Sequence, residues 1–341
     1  MATPTPARRS AAPPTPGIFS RLRGKLLAGI ALGAVVFVGF SAYSGKANLA
    51  EALAQVRWTV VPILFGLAFL NYLLRFLKWQ FYLRRLAISV PARDSLAVFF
   101  SGLVMVITPG KMGELLKAYL LRQVQGTPIA KSAPIIVAER LTDFLALIIL
   151  SSLGIGLYAF RAEKLILVGT LAAIVAFVAL IAWRRLSLAL IDAVGRVDSL
   201  AKIGRRLRVA YESIYALVTP AALAWATVLS VAAWSAECLG LWIVMRFFLP
   251  GSSALACVFI YAISTIAGAI SMLPGGLGST ELGMSLLLRK LVGASVGQAT
   301  AATFLIRIIT LWFAVVLGAI VLAANQKKFE GVAALLDQDR V

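Results

Sequence analysis

The chain has 341 residues, of which 61% are hydrophobic and 14% are charged, and its formal net charge is +19. Together with a mean hydropathy of +0.93, this composition excludes an ordinary soluble domain and indicates a polytopic α-helical membrane protein. The chain has no histidine and only two cysteines, so we expect no metal and no cofactor. Its basic excess is typical of the cytoplasmic ends of membrane spans, and nucleic acid is not an expected partner.

Residues 1–20 are predicted to be a disordered cytoplasmic tail, because the segment begins with a run rich in Pro, Ala and Thr. The apolar run at 26–43 is interpreted as an uncleaved first helix, with a cleaved signal peptide as the alternative. Residues 47–58 predict a short interfacial helix, and 59–82 a second span. Four basic residues assign the end of that span to the cytoplasm: Arg75, Lys78, Arg84 and Arg85.

Residues 96–121 begin with only about twelve apolar residues, too few to cross a membrane, and predict a re-entrant hairpin from the cytoplasmic side. Spans are predicted at 133–160 and 165–183. The basic segment 184–212 then predicts an amphipathic connector on the cytoplasmic surface, lying on anionic headgroups or simply solvated.

Further spans are predicted at 219–245 and 298–324. Between them, 254–272 and 282–292 form a second predicted re-entrant hairpin, which enters from the outside face. We therefore expect about six full spans and two hairpins in an inverted repeat, all within a transmembrane domain at 21–325. Residues 326–341 are expected to be a short cytoplasmic tail, so that both termini are cytoplasmic.

Two Pro/Gly motifs interrupt the apolar runs about half a chain length apart. They are Thr108-Pro109-Gly110-Lys111-Met112-Gly113-Glu114 and Leu273-Pro274-Gly275-Gly276-Leu277-Gly278-Ser279-Thr280-Glu281. Broken helices at membrane depth are tolerated where they line a cavity, and matched breaks in two halves of a chain indicate a transporter-type binding site. The half-helix after each break could present free N–H groups to a phosphate, with Ser279 and Thr280 as candidate caps. Alternatively, Glu114 and Glu281 occupy those N–H groups and are purely structural.

Seven ionisable residues fall within or beside the predicted spans: Glu114, Glu139, Arg140, Asp143, Glu237, Glu281 and Arg307. Such residues usually face a bundle interior and mark a pathway. Arg140 follows the first motif proline by 31 residues and Arg307 follows the second by 33, and Arg140 is spaced to pair with Asp143. The set predicts a formal excess of three negative charges, which protons, a bound cation or Lys111 and Lys117 would reduce.

At these residues the sequence resembles the lysylphosphatidylglycerol synthase transmembrane region family, the flippase-like membrane part of MprF-type proteins. The matching stretches are the two Pro/Gly motifs together with Ala138–Asp143 and Arg307–Trp312. The resemblance implies a multi-pass plasma-membrane protein that moves a polar-headed lipid between leaflets. Candidate lipids are anionic or aminoacylated phospholipids and polyprenyl-phosphate glycolipids. The soluble synthase domain of the fused members is missing, so aminoacylation by this chain is not expected.

We expect a lipid flippase or transporter, not an enzyme, acting alone or with a synthase partner, and a homodimer is a candidate assembly. The expected substrate path comprises Pro109, Gly110, Gly113, Glu114, Arg140, Pro274, Gly275, Gly276, Gly278, Glu281 and Arg307. Glu139, Asp143 and Glu237 are candidate proton or ion sites. The alternatives are a noncatalytic subunit of a lipid or lipid-linked glycan synthesis complex and a membrane enzyme acting on a lipid headgroup.

Overall fold

The computed structural model describes residues 18–44, 46–108, 113–154, 161–196 and 201–329. Every element within these ranges is helical, which confirms the all-α prediction. The α-helices are α1 (Ile18–Ser44), α2 (Lys46–Ala54), α3 (Val61–Arg85), α4 (Ala92–Gly102), α5 (Leu116–Gln125), α6 (Ile129–Ser152), α7 (Arg161–Ala182), α8 (Arg184–Gly195), α9 (Ala201–Leu217), α10 (Pro220–Phe248), α11 (Ala254–Ile270), α12 (Ser279–Leu287), α13 (Val296–Arg307) and α14 (Phe313–Ala324). Segments of 3₁₀ helix lie at Trp58–Val60, Leu103–Ile107 and Pro274–Gly276, and π-helical segments at Leu288–Val292 and Ile308–Trp312.

Within the described residues, four helical stretches are long and apolar enough to cross a membrane: Trp58–Arg85, Lys164–Ala182, Pro220–Phe248 and Val296–Ala324. They confirm a multi-pass membrane protein. Two other apolar helices, Leu27–Gly39 and Ala254–Ile270, are shorter than these four and shorter than the roughly 20 residues that a straight span requires.

Element boundaries follow local sequence signals. Pro220 occupies the first turn of α10, where its missing N–H costs nothing. Gly126 ends α5 with a φ of 69°, a left-handed conformation common just after a helix. The connector predicted at 184–212 consists of two helices, α8 and α9. At its C-terminal end, Tyr211 is buried and its hydroxyl donates to the Ile181 carbonyl at 2.8 Å.

Most residues of the two predicted terminal tails lie outside the described ranges. Residues 1–17 and 330–341 are outside the described ranges. α1 begins at Ile18, before the predicted domain start at residue 21. Phe329, in the predicted C-terminal tail, is buried in the main hydrophobic cluster, so this part of the tail packs on the helical domain.

The centre of the protein is formed by α3, α6 and α10, which pack against one another, and by α11, which packs on α6 and α10. Two polar bonds hold α3 to its neighbours. Asn71 on α3 donates to the carbonyl of Ala233 on α10 at 2.9 Å, and the Tyr72 hydroxyl donates to the carbonyl of Thr310 at 2.5 Å. Thr310 lies in the π-helical segment after α13, and the Tyr72 hydroxyl stabilises this carbonyl within the irregular turn.

The two halves of the chain meet where their helices are broken. The Leu103–Ile107 segment, which leads into the first motif, packs on the Pro274–Gly276 segment of the second. A Cβ added to Gly275 would lie 3.5 Å from the Ile107 Cα. A small apolar cluster surrounds this contact: Val106, Ile107, Leu277, Leu311 and Val315. The fold therefore places both breaks at one position in the bundle.

Candidate functional site

The first group of charged residues surrounds Glu114, which is 2% exposed. Its Oε2 lies 3.2 Å from Arg140 Nη2, and its Oε1 lies 4.0 Å from Arg75 Nη2. Arg140 also lies 3.1 Å from Asp143 Oδ2, which confirms the predicted pairing on one helix face. Arg140 therefore bridges two carboxylates from separate parts of the chain.

Two buried lysines hold the remaining acids of α6. Lys78 donates to Asp143 Oδ1 at 2.6 Å, and also lies 2.6 Å from the Ser230 hydroxyl on α10. Lys117 donates to Glu139 Oε2 at 2.5 Å, and its ammonium lies 5.0 Å from the centre of the Trp79 ring. Buried ion pairs of this kind require additional polar contacts, which the hydroxyl and the ring supply.

The predicted charge excess is wrong, because Arg75 and Lys78 were not counted among the buried cations and Lys117, named as one that would reduce the excess, does pair with Glu139. Three buried cations face the carboxylates of α6 and the first motif. They are Arg75, Lys78 and Lys117, and each is at most 9% exposed. Among the described residues, five buried carboxylates are thus matched by five cations once Arg140 and Arg307 are included. Arg75 and Lys78 had been assigned to the cytoplasmic end of a span, although they lie on one helix face inside the bundle.

A sequence signal for these residues exists. Helical spacing places the polar and aromatic residues of α3 on one stripe, comprising Asn71, Tyr72, Arg75, Lys78, Trp79 and Tyr82. A stripe of this width at i, i+3 and i+4 indicates a buried face rather than a helix end. The positive-inside rule counts cations near helix ends and so assigned Arg75 and Lys78 to the wrong environment.

The second motif forms a tight loop ahead of α12. Its backbone has φ values of 61° at Gly275, 67° at Gly276 and 88° at Gly278, all in the region that glycine adopts without strain. The Gly278 N–H donates to Glu281 Oε2 at 2.6 Å. Glu281 thus caps the half-helix, which agrees with the alternative interpretation that this residue is structural.

Arg307 closes the same loop from α13. Its Nε donates to Glu281 Oε1 at 2.5 Å and its Nη2 donates to the Gly275 carbonyl at 2.6 Å. The predicted capping by Ser279 is wrong, because its hydroxyl donates to the Gly276 carbonyl at 3.2 Å. The N-cap position of α12 is Gly278, which has no side chain to accept a hydrogen bond, and Ser279 is already the first residue of the helix.

The remaining intramembrane acid, Glu237, projects from α10 and is 6% exposed. It accepts a hydrogen bond from the Tyr261 hydroxyl of α11. This contact joins two central helices of the bundle next to the second motif.

A cavity of about 300 Å³ connects these groups. Its walls include Arg75, Arg140 and Asp143 from the first half and Glu237, Tyr261, Gly275, Gly276, Thr280 and Arg307 from the second. The side chains of Arg140 and Arg307 are 19% and 13% exposed, whereas those of Glu114 and Glu281 are each 3% exposed. The two arginines therefore face the cavity, and the carboxylates of Glu114 and Glu281 contact them on the side away from it.

The lining of this cavity is electropositive. Three arginines, Arg75, Arg140 and Arg307, stand against two carboxylates, Asp143 and Glu237. Guanidinium groups bind planar or tetrahedral oxyanions through two parallel hydrogen bonds. The arrangement can accept an anionic group such as a phosphate. Within the described residues no group of three metal-ligating side chains is placed to hold a metal ion.

Part of the first motif lies outside the described residues, namely Pro109, Gly110, Lys111 and Met112. Gly113 and Glu114 are described. The Gly113 N–H donates to the Thr108 hydroxyl at 2.8 Å, so residues on either side of the break are tied together. Glu114 and Glu139 do not line the cavity, and each contacts a cation instead.

The profile of one protein family, the Lysylphosphatidylglycerol synthase TM region, matches residues 26–318. The chain belongs to this family. The match to the Lysylphosphatidylglycerol synthase TM region contains both Pro/Gly motifs and all three arginines that line the cavity, and it confirms the resemblance seen in the sequence.

Relatives in the archaeon Methanothermobacter thermautotrophicus agree with this assignment. One protein, described as a UPF0104 membrane protein, is 25% identical over 313 residues, which cover 85% of this chain and 92% of the relative. Another match to a protein of the same description is 36% identical over 93 residues, 27% of this chain and 28% of the relative. Similarity to the first relative therefore extends through most of both chains.

Proposed function

We propose that the protein is a membrane lipid flippase or transporter that moves a phosphate-bearing lipid between leaflets. One observation carries the proposal: an arginine that follows each Pro/Gly motif lines the same cavity, Arg140 from the first half and Arg307 from the second. A site assembled at the junction of two interrupted halves is the arrangement that secondary transporters use. Membership in the Lysylphosphatidylglycerol synthase TM region family supports a lipid-related role.

The cavity suits a headgroup and not a whole lipid. Its volume of about 300 Å³ is at the lower end of small-molecule pockets, roughly 300–1,000 Å³. Three residues that line it, Ile270, Met272 and Leu273, are also 43–59% exposed on the protein surface. They form an apolar edge beside the polar interior, where acyl chains can stay in the bilayer while the headgroup enters.

The lipid phosphate would be recognised by Arg140 and Arg307 in the positions that they already occupy. Arg307 is held by Glu281 and the Gly275 carbonyl, and Arg140 by Glu114 and Asp143. A phosphate would accept hydrogen bonds from the guanidinium edges that face the cavity. The carboxylates behind them keep the arginines oriented and limit the positive charge, so that the headgroup can leave again.

The proposed topology has about six full spans and two re-entrant hairpins in an inverted repeat. The packing of Leu103–Ile107 on Pro274–Gly276 supports it, because the tips of hairpins entering from opposite faces would meet near mid-membrane. We place the protein in the plasma membrane with both termini in the cytoplasm. Homodimer formation is part of the proposal and has no bearing on the cavity, whose described walls come from a single chain.

We propose no enzymatic step and no cofactor for this chain. Glu139 and Asp143 are each bound by a lysine and serve to position cations in this scheme. Glu237, which lines the cavity and bonds to Tyr261, is the proposed proton site if movement is coupled to an ion gradient.

The test is reconstitution of the full chain into liposomes that contain a headgroup-labelled phospholipid, with a quencher added outside. We expect the wild type to expose inner-leaflet label, and Arg307→Gln to abolish this exposure. Arg205→Gln removes an exposed arginine of α9 and should leave the rate unchanged. Phosphatidylglycerol, phosphatidylcholine and lysyl-phosphatidylglycerol would each be tried.

If the wild type moves none of these lipids, the flippase proposal fails and the subunit alternative becomes the better one. If wild type and Arg307→Gln move lipid equally, the lipid crosses by a path that does not depend on this arginine, and the proposed site is wrong. A monodisperse Arg307→Gln variant with wild-type helical content separates loss of transport from loss of folding.

A further inference from the structure

A second cavity lies on the opposite side of α11 from the one just described. It has a volume of about 600 Å³ and lies between α7, α11 and the α12 hairpin arm. The wall residues are Ile166, Ile263, Ser264, Ala267, Gly283, Leu286, Leu287, Arg289 and Lys290. The two cavities share no lining residue, although Ser264 and Thr265 are neighbours on α11 and line different ones.

This groove has the two chemical parts of a lipid site. Most of its wall is apolar or small, and Gly283 opposite Ser264 keeps the floor open, since a Cβ there would lie 3.4 Å from the Ser264 hydroxyl. Arg289 and Lys290 stand at one end, on the π-helical segment that follows α12. An acyl chain fits the first part and an anionic headgroup the second.

A buried polar atom also points to an occupant. Ser264 is 1% exposed, lines the groove, and its hydroxyl has no hydrogen-bond partner in the described structure. An unpartnered buried hydroxyl is costly, because its desolvation is not repaid. A ligand in the groove with an ester carbonyl near its headgroup would supply the missing acceptor.

We propose that this groove binds an anionic phospholipid, with one acyl chain along α11 and the phosphate at Arg289 and Lys290. The partner is a lipid and not a second copy of the chain, because the groove pairs an apolar interior with two cations at its end. This site is separate from the transport cavity, and it does not depend on the protein being a flippase.

The test uses the full chain in proteoliposomes with phosphatidylglycerol that carries a diazirine in one acyl chain. After illumination, mass spectrometry should find labelled peptides containing residues 263–267 and 283–287. The Arg289→Gln/Lys290→Gln variant should reduce this labelling roughly 25-fold, since each basic residue near an anionic lipid contributes about fivefold. The Arg205→Gln/Arg206→Gln variant removes two exposed arginines elsewhere and should not change it.

Two controls keep the result interpretable. Gly283→Leu should block labelling of the groove while the protein stays helical and monodisperse, because the added side chain fills the floor. Phosphatidylcholine with the same diazirine chain should label the groove weakly. Equal labelling by both lipids, or full labelling in the Arg289→Gln/Lys290→Gln variant, would overturn the proposal; a dimer cross-link at these residues would assign the groove to a second copy.

Discussion

The Glu281–Arg307 pair gives the sharpest prediction about stability. Glu281→Gln keeps the shape of the side chain but places an NH₂ group where one carboxylate oxygen now accepts. Glu281 accepts from two donors, the Gly278 N–H and Arg307 Nε, and a glutamine can satisfy only one of them. Arg307 would keep its bond to the Gly275 carbonyl but lose its counter-charge.

The magnitude follows from the burial of this pair. Removing one partner of a buried ion pair costs about 3–5 kcal/mol, and the retained amide acceptor offsets about 1 kcal/mol of that cost. We therefore expect Glu281→Gln to lower the free energy of unfolding by about 2–4 kcal/mol. Arg307→Gln should be less costly, because Glu281 would still accept from the Gly278 N–H.

The assay is a double-mutant cycle read by denaturant unfolding in detergent micelles. The Glu281→Gln/Arg307→Gln variant should be more stable than the sum of the single changes predicts, with a coupling of about 1–3 kcal/mol. Additive effects would refute the idea that the two side chains form one unit. A pair of exposed residues, Arg184 and Glu212, lies 2.9 Å apart and should show a coupling below about 1 kcal/mol.

Other predictions test the remaining parts of the site. Lys78→Met should lower the free energy of unfolding by about 3 kcal/mol or more, because it leaves Asp143 buried with one cation fewer. If the stability measured by thermal unfolding recovers in Lys78→Met/Asp143→Asn, the unpaired Asp143 carboxylate is the cause of the loss. Gly275→Ala should cost about 1–2 kcal/mol in the same assay, since its φ of 61° is left-handed, whereas Gly251→Ala, at an open position, should be near neutral. Glu237→Gln should remove any pH dependence of lipid movement in liposomes, and an unchanged pH profile would exclude Glu237 as the proton site.

Helices could be predicted well because the relevant signals are local. Long apolar runs at 59–82 and 219–245 correspond to α3 and α10. The Arg140–Asp143 pair follows from helical spacing alone. The match between Arg140 and Arg307 in the two halves also indicated residues that the fold brings to one cavity.

Other parts of the site depend on contacts between distant segments. No local pattern shows that Arg75 reaches Glu114 or that Lys117 reaches Glu139, and these contacts reverse the expected charge excess. The roles of the individual residues within each motif also could not be predicted from the sequence. Whether Glu281 faces a substrate or caps its own helix depends on the path of the loop through Gly275 to Gly278, which the residue types permit but do not determine.

The equality of buried carboxylates and cations has an electrical consequence. The buried charges of the described residues sum to zero, so a rearrangement that moves matched pairs together carries little charge through the membrane field. A headgroup of net charge −1 would then be the main charge displaced, and each elementary charge moved across 100 mV corresponds to about 2.3 kcal/mol. Flipping an anionic lipid through this site would be electrogenic, and the membrane potential would set its favoured direction, whereas a zwitterionic lipid would cross without regard to voltage.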